Sequence, residues 1–242
     1  MINVDKIKDI LDKDGYIILK KALKLKNIKA LTSTVTKIFS AHAKLGEDIY
    51  STCVRLGSED KELLYRIYQY SQSMLVMDNL RQECFQYAKP LFPKDSIFID
   101  IDSHVIVNLP HDDRIGWGWH QESTYHPEIE SCIGFWFPFL ESSTRSNGTM
   151  SVLRGSNRLG RLPYTIHKPS NNSATTLVPD NMEQFQSQFP EVYCFLDPTD
   201  LLIFHMDLLH RTNLNTSDRP RFTGIVRIAC IDHIPGQFGK IT

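Results

Sequence analysis

The chain contains little cysteine, and the spacing of its cysteines excludes two kinds of small protein. Its 242 residues include five cysteines with no Cys-x-x-Cys pair: Cys53, Cys84, Cys132, Cys194 and Cys230. A chain of this length buries enough apolar surface to fold without covalent cross-links. The pattern therefore argues against a disulfide scaffold and against a cysteine-bound zinc or redox dithiol site. It predicts a protein of the reducing cytoplasm.

Excess charge and long hydrophobic runs are also missing. The chain has 27 Lys and Arg residues against 28 Asp and Glu residues, a formal net charge of −1, without the basic excess of proteins that bind nucleic acid or anionic membranes. The longest aromatic-aliphatic run, Ile133 to Leu140, contains Pro138 and is far shorter than the roughly 20 residues of a membrane span. The amino terminus lacks the apolar stretch of a signal peptide. We therefore expect no membrane or nucleic-acid partner, and we leave the oligomeric state open between a monomer and a homodimer.

The period of the apolar residues changes once along the chain. Up to about residue 90, apolar residues recur at helical spacing, and Gly15 is placed to end a first helix before the apolar run Tyr16 to Leu19. From Ser96 the period is two, which is typical of strands. The predicted helices run from about Val4 to the cap at Gly15, from 26 to 39 and from near 58 to Pro90. The predicted extended segments are 97–109, 132–139, 149–153, 201–204 and 222–231.

This order of elements predicts a mainly β fold with flanking helices. Many short strands behind a helical leader favour a β-barrel or a jelly roll flanked by helices. We place this core at residues 96–235 and an α-helical N-terminal region at 1–90. Because no repeat or linker divides the chain, we expect a single domain over residues 1–242.

Histidines and carboxylates are plentiful enough for a nitrogen–oxygen metal site. Alternate residues of a strand face the same way, so ligands at i and i+2 can grip one ion. Four His-x-Asp/Glu pairs have this spacing: His111/Asp113, His120/Glu122, His126/Glu128 and His205/Asp207. His111 lies in a turn sequence and His126 precedes Pro127, which are contexts typical of surface residues.

The segment 116–122 is the best candidate among these. Interpreted as a strand, it places Gly118, His120 and Glu122 on one face and two tryptophans with Gln121 on the other. On the first face, the small Gly118 leaves room beside the ionisable His120 and Glu122, as a metal-binding cavity requires. On the other face, the tryptophans pack the strand against the rest of the protein. The alternative is a buried hydrogen bond between His120 and Glu122.

A third ligand must come from elsewhere in the chain. His205 and His210 both lie in the segment 204–221, where a strand runs into a polar turn. They have opposite parity, and a bulge near Asp207 would change which one faces inward. Spacing alone leaves the choice open.

Three blocks of this sequence resemble the phytanoyl-CoA dioxygenase family of iron(II)/2-oxoglutarate oxygenases. The blocks are His120-Gln121-Glu122, Asn147 to Gly160, and His210 to Arg221. The leader Asp14-Gly15-Tyr16-Ile17 is also similar, so the resemblance covers nearly the whole chain.

The resemblance implies a double-stranded β-helix, the cupin-like jelly roll, as the core of the fold. It also implies Fe(II), 2-oxoglutarate and dioxygen as cofactor and cosubstrates. By position, His120, Glu122 and His210 would be the 2-His-1-carboxylate ligands and thus the catalytic centre. Arg221 would bind the 5-carboxylate of 2-oxoglutarate with help from Thr212; an arginine supplies the planar fork that suits a carboxylate. Trp136 would contact the cosubstrate or substrate, or pack in the core. His104 or Asn108, which share parity on one strand, would bind the 1-carboxylate end.

The sequence departs from the family pattern at three places. Glu122 replaces the usual aspartate; because it is still an anionic oxygen ligand, we predict hydroxylation rather than the halogenation of relatives that lack this carboxylate. Asn157 replaces a histidine, and Thr199 replaces the glycine of a Gly-Asp pair. Both of these changes are interpreted as structural.

The resulting hypothesis is a 2-oxoglutarate-dependent dioxygenase that hydroxylates a small molecule and releases succinate and CO2. The alternative is a cupin-like metal isomerase or hydrolase, or a catalytically silent binding protein. Arg221 with Thr212 is the discriminating feature, since a simple metal isomerase has no need for this pair. Arg114, Tyr125 and the loop 168–181 are candidates to line the substrate entrance. Amino acids, sugars and other polar metabolites, and lipid-like or acyl-CoA molecules, are all possible substrates.

Overall fold

Helices dominate the first part of the chain and strands the remainder. The structure is a computed structural model that describes residues 4–112, 118–129, 131–167 and 175–230. Within these ranges the helices are α1 Val4–Asp14, α2 Leu25–Ser40, α3 Ile49–Glu59, α4 Lys61–Gln72, α5 Val76–Ala88, α6 Glu122–Tyr125 and α7 Met182–Gln188, with short 3₁₀ helices at Lys89–Leu91 and Ser156–Leu159. The strands are β1 Tyr16–Leu19, β2 Phe98–Asp100, β3 His104–Asn108, β4 Ser131–Pro138, β5 Met150–Leu153, β6 Tyr164–His167, β7 Thr176–Pro179, β8 Glu191–Tyr193, β9 Leu201–His205, β10 His210–Thr212 and β11 Arg221–Cys230.

The first helix ends as the sequence predicts. Gly15 has φ +81°, and its N–H donates to the carbonyl of Leu11 at 2.9 Å. This is a glycine C-terminal cap, and it turns the chain directly into β1. The Nδ2 group of Asn157 donates to the carbonyls of Leu11 and Asp12 at 3.1 Å each, so this side chain also closes the end of α1.

The long helix predicted from residue 58 to Pro90 is wrong, because the structure has two helices there and a third before them. Aspartates at the starts of α3 and α4 explain two of the boundaries. The carboxylate of Asp48 accepts from Ser51 N at 2.8 Å, and that of Asp60 accepts from Leu63 N at 3.0 Å. Such capping bonds satisfy backbone donors that a helix start leaves open.

A six-stranded antiparallel sheet organises the β region. Its order is β1-β9-β4-β11-β2, and β3 also pairs with β11. A three-stranded sheet, β10-β5-β8, and the hairpin β6-β7 complete the strands of the described residues.

The two faces of the large sheet have different neighbours. Alternate residues, such as Phe135 and Val226, belong to a core shared with α1 to α5. The residues between them, such as Trp136 and Ile225, form a second core with Val152 of the three-stranded sheet. A layer of helices therefore covers one face, and the space between the two sheets lies on the other.

Several local predictions need correction. The segment predicted as extended over 97–109 is two strands, because Asp102 has φ +58° between them. Residues 118–122 do not form a strand: His120 makes an isolated bridge, and Glu122 begins α6. Strands β6, β7, β8 and β10 and helices α3, α6 and α7 were not predicted, since most of them are only three or four residues long. Residues 113–117 and 231–235, which the predictions included, lie outside the described residues.

Thr199, which replaces a family glycine, has φ +84°. This left-handed region favours glycine.

None of the helices in the described part of the chain is long and apolar enough to cross a membrane.

Candidate metal centre

His120 and His210 are neighbours because their backbones pair. The N–H of His120 donates to the carbonyl of His210 at 3.0 Å, and the N–H of His210 donates back at 3.1 Å. Directly paired residues of an antiparallel bridge project to the same face, and the two imidazole centroids are 4.2 Å apart. This pairing joins residues ninety positions apart in the chain.

His205, the alternative third ligand, lies elsewhere. It pairs with Ile133 of β4, a residue of the core beneath the helices. Its Nδ1 atom accepts a hydrogen bond from Asp207 N at 3.1 Å. Register therefore directs His205 away from the space between the sheets, which resolves the choice that parity left open.

Glu122 joins the two histidines although it lies in a helix. Gln121, with φ −120° and ψ 139°, is still extended, so His120 and Glu122 leave the chain on the same side. The buried amide of Gln121 donates to Gly160 O at 2.9 Å and Asp207 O at 2.6 Å, and accepts from Leu162 N at 2.9 Å. These bonds anchor the chain between the two site residues.

The three side chains form a buried group that could hold a metal ion. One ligand atom from each of His120, Glu122 and His210 lies within 4.8 Å of the others. The Nδ1 atoms of His120 and His210 lie 2.7 Å from Gly118 O and 2.9 Å from Leu208 O. Because a carbonyl can only accept, both Nδ1 atoms carry a proton, and in the neutral tautomer of each ring Nε2 is the nitrogen with the lone pair that a metal needs.

The electrostatics favour ligands that are ready to bind a cation. Burial, and then the neighbouring His210, lower the pKa of His120 to about 3. Burial opposes ionisation of Glu122, but Arg227 and the two histidines outweigh it and hold the pKa of this carboxyl well below its usual range. At neutral pH His120 is therefore neutral and Glu122 is ionised.

Arg227 is a site residue that the sequence interpretation missed. Its Nε donates to Glu122 Oε2 at 2.9 Å and its Nη2 donates to Glu122 Oε1 at 3.0 Å, and both residues are buried. A signal was present in the sequence: Arg227 is a lone charge in the apolar run 225–230, and it has the parity of Arg221.

Arg221 lies six residues earlier on the same face of β11. It is 1% exposed, and its Cζ is 5.2 Å from the ring centroid of Trp136. Among the residues that the structure describes, its Nε and Nη1 have no hydrogen-bond partner. Burial lowers the pKa of this guanidinium to about 9.

The other predicted cosubstrate contacts are located as follows. Thr212 is two residues after His210 on β10, so both side chains leave the same face. Trp136 is buried opposite Ile225. Asn108 pairs directly with Arg221, whereas His104 pairs with Ile225, between the two arginines of β11. The Nδ1 atom of His104 lies 3.0 Å from Asp102 O.

One predicted entrance residue lies beside the histidines. The ring of Tyr125 meets that of His120 edge to face at 5.7 Å. Its hydroxyl accepts from Leu177 N at 3.0 Å, which ties the hairpin β6-β7 to this side of the site. Arg114 and residues 168–174 of the predicted loop lie outside the described residues.

Both parts of the site fit the cofactors implied by the resemblance. Two imidazoles and a carboxylate are a donor set that suits Fe(II). The buried Nε and Nη1 groups of Arg221 lack partners in the described residues, and an anionic carboxylate is the kind of acceptor that such a guanidinium binds.

A protein-family model matches most of this chain. Residues 11–223 match the model of the family described as phytanoyl-CoA dioxygenase (PhyH). Because the match covers most of the chain, the protein belongs to this family, as the sequence predicted. Comparison with curated protein sequences found no match.

Solved structures with similar folds support the predicted jelly roll. EvdO2 from Micromonospora carbonacea var. aurantiaca, complexed with 2-oxoglutarate, has a TM-score of 0.64 at 16% identity, covering 95% of this chain and 91% of its own. The non-heme alpha ketoglutarate dependent epimerase SnoN has a TM-score of 0.63 at 13% identity, covering 93% and 82%. The non-heme monooxygenase ThoJ has a TM-score of 0.63 at 16% identity, covering 93% and 77%. The mainly β fold with flanking helices is thereby confirmed.

Proposed function

We propose that this protein is an Fe(II)- and 2-oxoglutarate-dependent dioxygenase that hydroxylates a small-molecule substrate and releases succinate and CO2. In this proposal residues 1–242 act as one oxygenase domain. The family supports the oxygenase class, and the arrangement of side chains between the two sheets supports the assignment of roles.

The proposal rests on the presence, in one buried region, of a possible metal-binding group and of an arginine whose Nε and Nη1 have no hydrogen-bond partner among the described residues. His120, Glu122 and His210 converge in one buried group. Arg221 is buried on β11 of the large sheet, on the face of Ile225 and the second core, with two N–H groups that have no partner among the described residues. Since an isomerase or hydrolase that needs only a metal has no use for such an arginine, this combination favours a carboxylate cosubstrate over the alternative functions.

In the proposed site, Nε2 of each histidine and one oxygen of Glu122 hold Fe(II). Arg221, with the hydroxyl of Thr212, holds the 5-carboxylate of 2-oxoglutarate, and Trp136 packs against the guanidinium. His104, on the same strand as Asn108 but nearer the metal group, is the candidate for the 1-carboxylate end. Iron with 2-oxoglutarate and dioxygen supplies the oxidation of an unactivated C–H bond, and the protein orients the substrate.

Hydroxylation is the proposed outcome because Glu122 supplies a carboxylate ligand. A site without that carboxylate would have an additional open position for a halide, whereas Glu122 fills it. Tyr125, beside His120, and the hairpin β6-β7 form the proposed substrate side. The cytoplasm is the proposed compartment, since all five cysteines lie in the described residues, are buried and form no disulfide.

Substrate-dependent succinate formation across a panel of metabolites tests this function. We expect one panel compound to raise succinate formation by the Fe(II)-loaded protein, and His120→Ala or His210→Ala to abolish the increase. His205→Ala is the matched control, because this histidine lies outside the metal group and should keep turnover. Full turnover by His210→Ala would contradict the assignment.

Product mass distinguishes hydroxylation from another outcome of the same family. A hydroxylated product gains one oxygen atom, whereas an epimerised product, such as the SnoN relationship suggests, keeps the substrate mass. Succinate release with an unchanged substrate mass would overturn hydroxylation and retain the 2-oxoglutarate dependence.

A further inference from the structure

The contact between Arg227 and Glu122 is unusually complete for a buried ion pair. Both carboxylate oxygens accept from the guanidinium fork, at 2.9 and 3.0 Å. The exposed fractions are 9% for Arg227 and 5% for Glu122. Two parallel charge-assisted bonds restrict both the position and the rotation of the carboxylate.

Arg227 is itself held on its other side. Its Nη1 donates to Asp102 O at 2.9 Å, and its backbone carbonyl accepts from Ile101 N at 2.9 Å. Asp102, at φ +58°, is the break between β2 and β3. The interruption of the predicted 97–109 strand thus presents a carbonyl to Arg227. All three nitrogens of the guanidinium have partners, so its orientation is determined by the fold.

The pairing leaves one side of Glu122 facing the histidines. Each carboxylate oxygen has two lone-pair positions, and Arg227 occupies one on each oxygen. The Oε1 atom lies 3.5 Å from His210 Nε2. Its remaining lone pair is therefore available within the group of ligand atoms.

A glutamate ligand has a particular need for such a partner. Compared with aspartate, it has one more rotatable bond, so more rotamers compete with the metal-binding one. Partners outside the ligand shell orient metal-binding side chains, and their loss typically weakens metal binding about 10–100-fold. Stability alone does not explain a buried ion pair, since apolar side chains of similar size often serve equally well.

We propose that Arg227 is a positioning residue for the metal: it holds Glu122 so that Oε1 faces His120 and His210, which allows a glutamate to serve at the carboxylate position. This inference rests on the proposed metal-binding function. Lysine cannot replace Arg227, because an ammonium lacks the fork that contacts both oxygens.

Co(II) binding to the full-length, metal-free protein tests the proposal without using activity. Titration calorimetry gives the Co(II) affinity, and the visible absorption of bound Co(II) reports the coordination geometry. We expect Arg227→Met to weaken Co(II) binding about 10–100-fold and to change the visible spectrum. Arg227→Lys should fall between the wild type and Arg227→Met.

A double-mutant cycle separates positioning from general damage. The shorter side chain in Glu122→Asp should lose the Arg227 contact, so Arg227→Met should have a smaller effect on Co(II) affinity in that background. Arg55→Met is the matched control: Arg55 makes the same two-bond contact with Glu47, at 2.7 and 2.9 Å, on α3 far along the chain from the site residues. Its Co(II) affinity should equal that of the wild type.

The outcomes keep this inference distinct from the proposed function. Wild-type protein that binds no Co(II) would overturn both. Wild-type binding with an unchanged affinity and spectrum in Arg227→Met would overturn only the positioning role. Should Arg227→Met fail to fold, as judged by circular dichroism, Arg227→Lys decides by the same two measurements.

Discussion

Strand β11 carries two buried arginines in opposite states, Arg221 as its first residue and Arg227 six residues later. Arg227 forms a two-bond ion pair with Glu122 and also binds Asp102 O. Arg221 lies against Trp136 with Nε and Nη1 unpartnered among the described residues. Their pKa values shift in opposite directions: burial lowers that of Arg221, whereas at Arg227 the effect of burial is outweighed by Glu122, which raises it.

The difference distinguishes a charge that is part of the folded structure, on Arg227, from a charge that is suited to bind a ligand, on Arg221. A buried guanidinium without a partner costs free energy, and a fold that keeps one is prepared for an anion from outside. A buried guanidinium in a complete ion pair belongs to the architecture of the protein. The two arginines should therefore respond differently to the same substitution.

Removing the paired arginine should have the largest effect on stability. Arg227→Met leaves the Glu122 carboxylate buried without its partner, so we expect the free energy of unfolding to fall by about 3–5 kcal/mol. Urea denaturation of the metal-free protein measures this loss. An unchanged denaturation midpoint would remove the distinction between the two arginines.

Removing the unpaired arginine should instead affect ligand binding. We expect Arg221→Met to weaken 2-oxoglutarate binding about 100-fold, roughly 2.7 kcal/mol, because a charge-assisted two-bond contact is lost. Since Arg221 makes no ion pair with the residues that the structure describes, the free energy of unfolding should stay the same or rise. Anaerobic titration with 2-oxoglutarate in the presence of Fe(II), together with urea denaturation, checks both parts; a stability loss as large as that of Arg227→Met would contradict them.

A substitution at Gly134 should disturb the metal-binding histidines without changing either arginine. It lies opposite Arg227 on β4, and a Cβ there would overlap the ring of Phe204, which is 4.9 Å from the His210 ring. Gly134→Ala should cost about 1–3 kcal/mol of stability and weaken Co(II) binding by displacing His210.

Gly224→Ala is the matched control for that substitution. A Cβ at Gly224 would overlap the ring of Phe137 in the core beneath the helices. It should cost similar stability but leave Co(II) affinity unchanged. Equal losses of Co(II) affinity in both variants would show that the effect is not local to the histidines.

Lowering the pH should destabilise the metal-free protein through His120 and Glu122, and the loss per pH unit is the smallest of the expected effects. The folded-state pKa of His120 is about 3, against 6.5 ordinarily, so the unfolded chain binds the extra proton as the pH falls. Stability of the metal-free protein is then full above pH 6.5 and decreases toward pH 3, by at most about 1.4 kcal/mol per pH unit. Glu122 adds to the loss below pH 4.5.

The pH series uses two variants, one at His120 in the metal group and one at Arg221 on β11. His120→Gln should flatten the dependence between pH 6.5 and 4.5, whereas Arg221→Met should leave it as in the wild type. Urea denaturation at several pH values makes the measurement. An unchanged slope in His120→Gln would place the responsible proton on another group.

Much of this protein could be predicted from local patterns. The period-two segments became β4, β5, β9 and β11, and Gly15 ends α1, because alternation and caps act over a few neighbouring residues. The break between α4 and α5 was missed, since the apolar periodicity that predicted one helix from residue 58 to Pro90 continues across it, and α3, capped by Asp48, was not predicted. The strand predicted around His120 was wrong, yet the same-side relation of His120 and Glu122 survived because Gln121 remains extended.

By itself the sequence determined the family, the mainly β fold with its helical leader, and the ligand types available for a metal. Only the tertiary structure decided, on physical grounds, that His210 rather than His205 faces His120, because strand register depends on partners ninety residues away. It also decided that Arg227 pairs with Glu122 while Arg221 keeps unpartnered donors in the described residues. Both arginines have the same parity on one strand, and only the side chains brought near each arginine distinguish them.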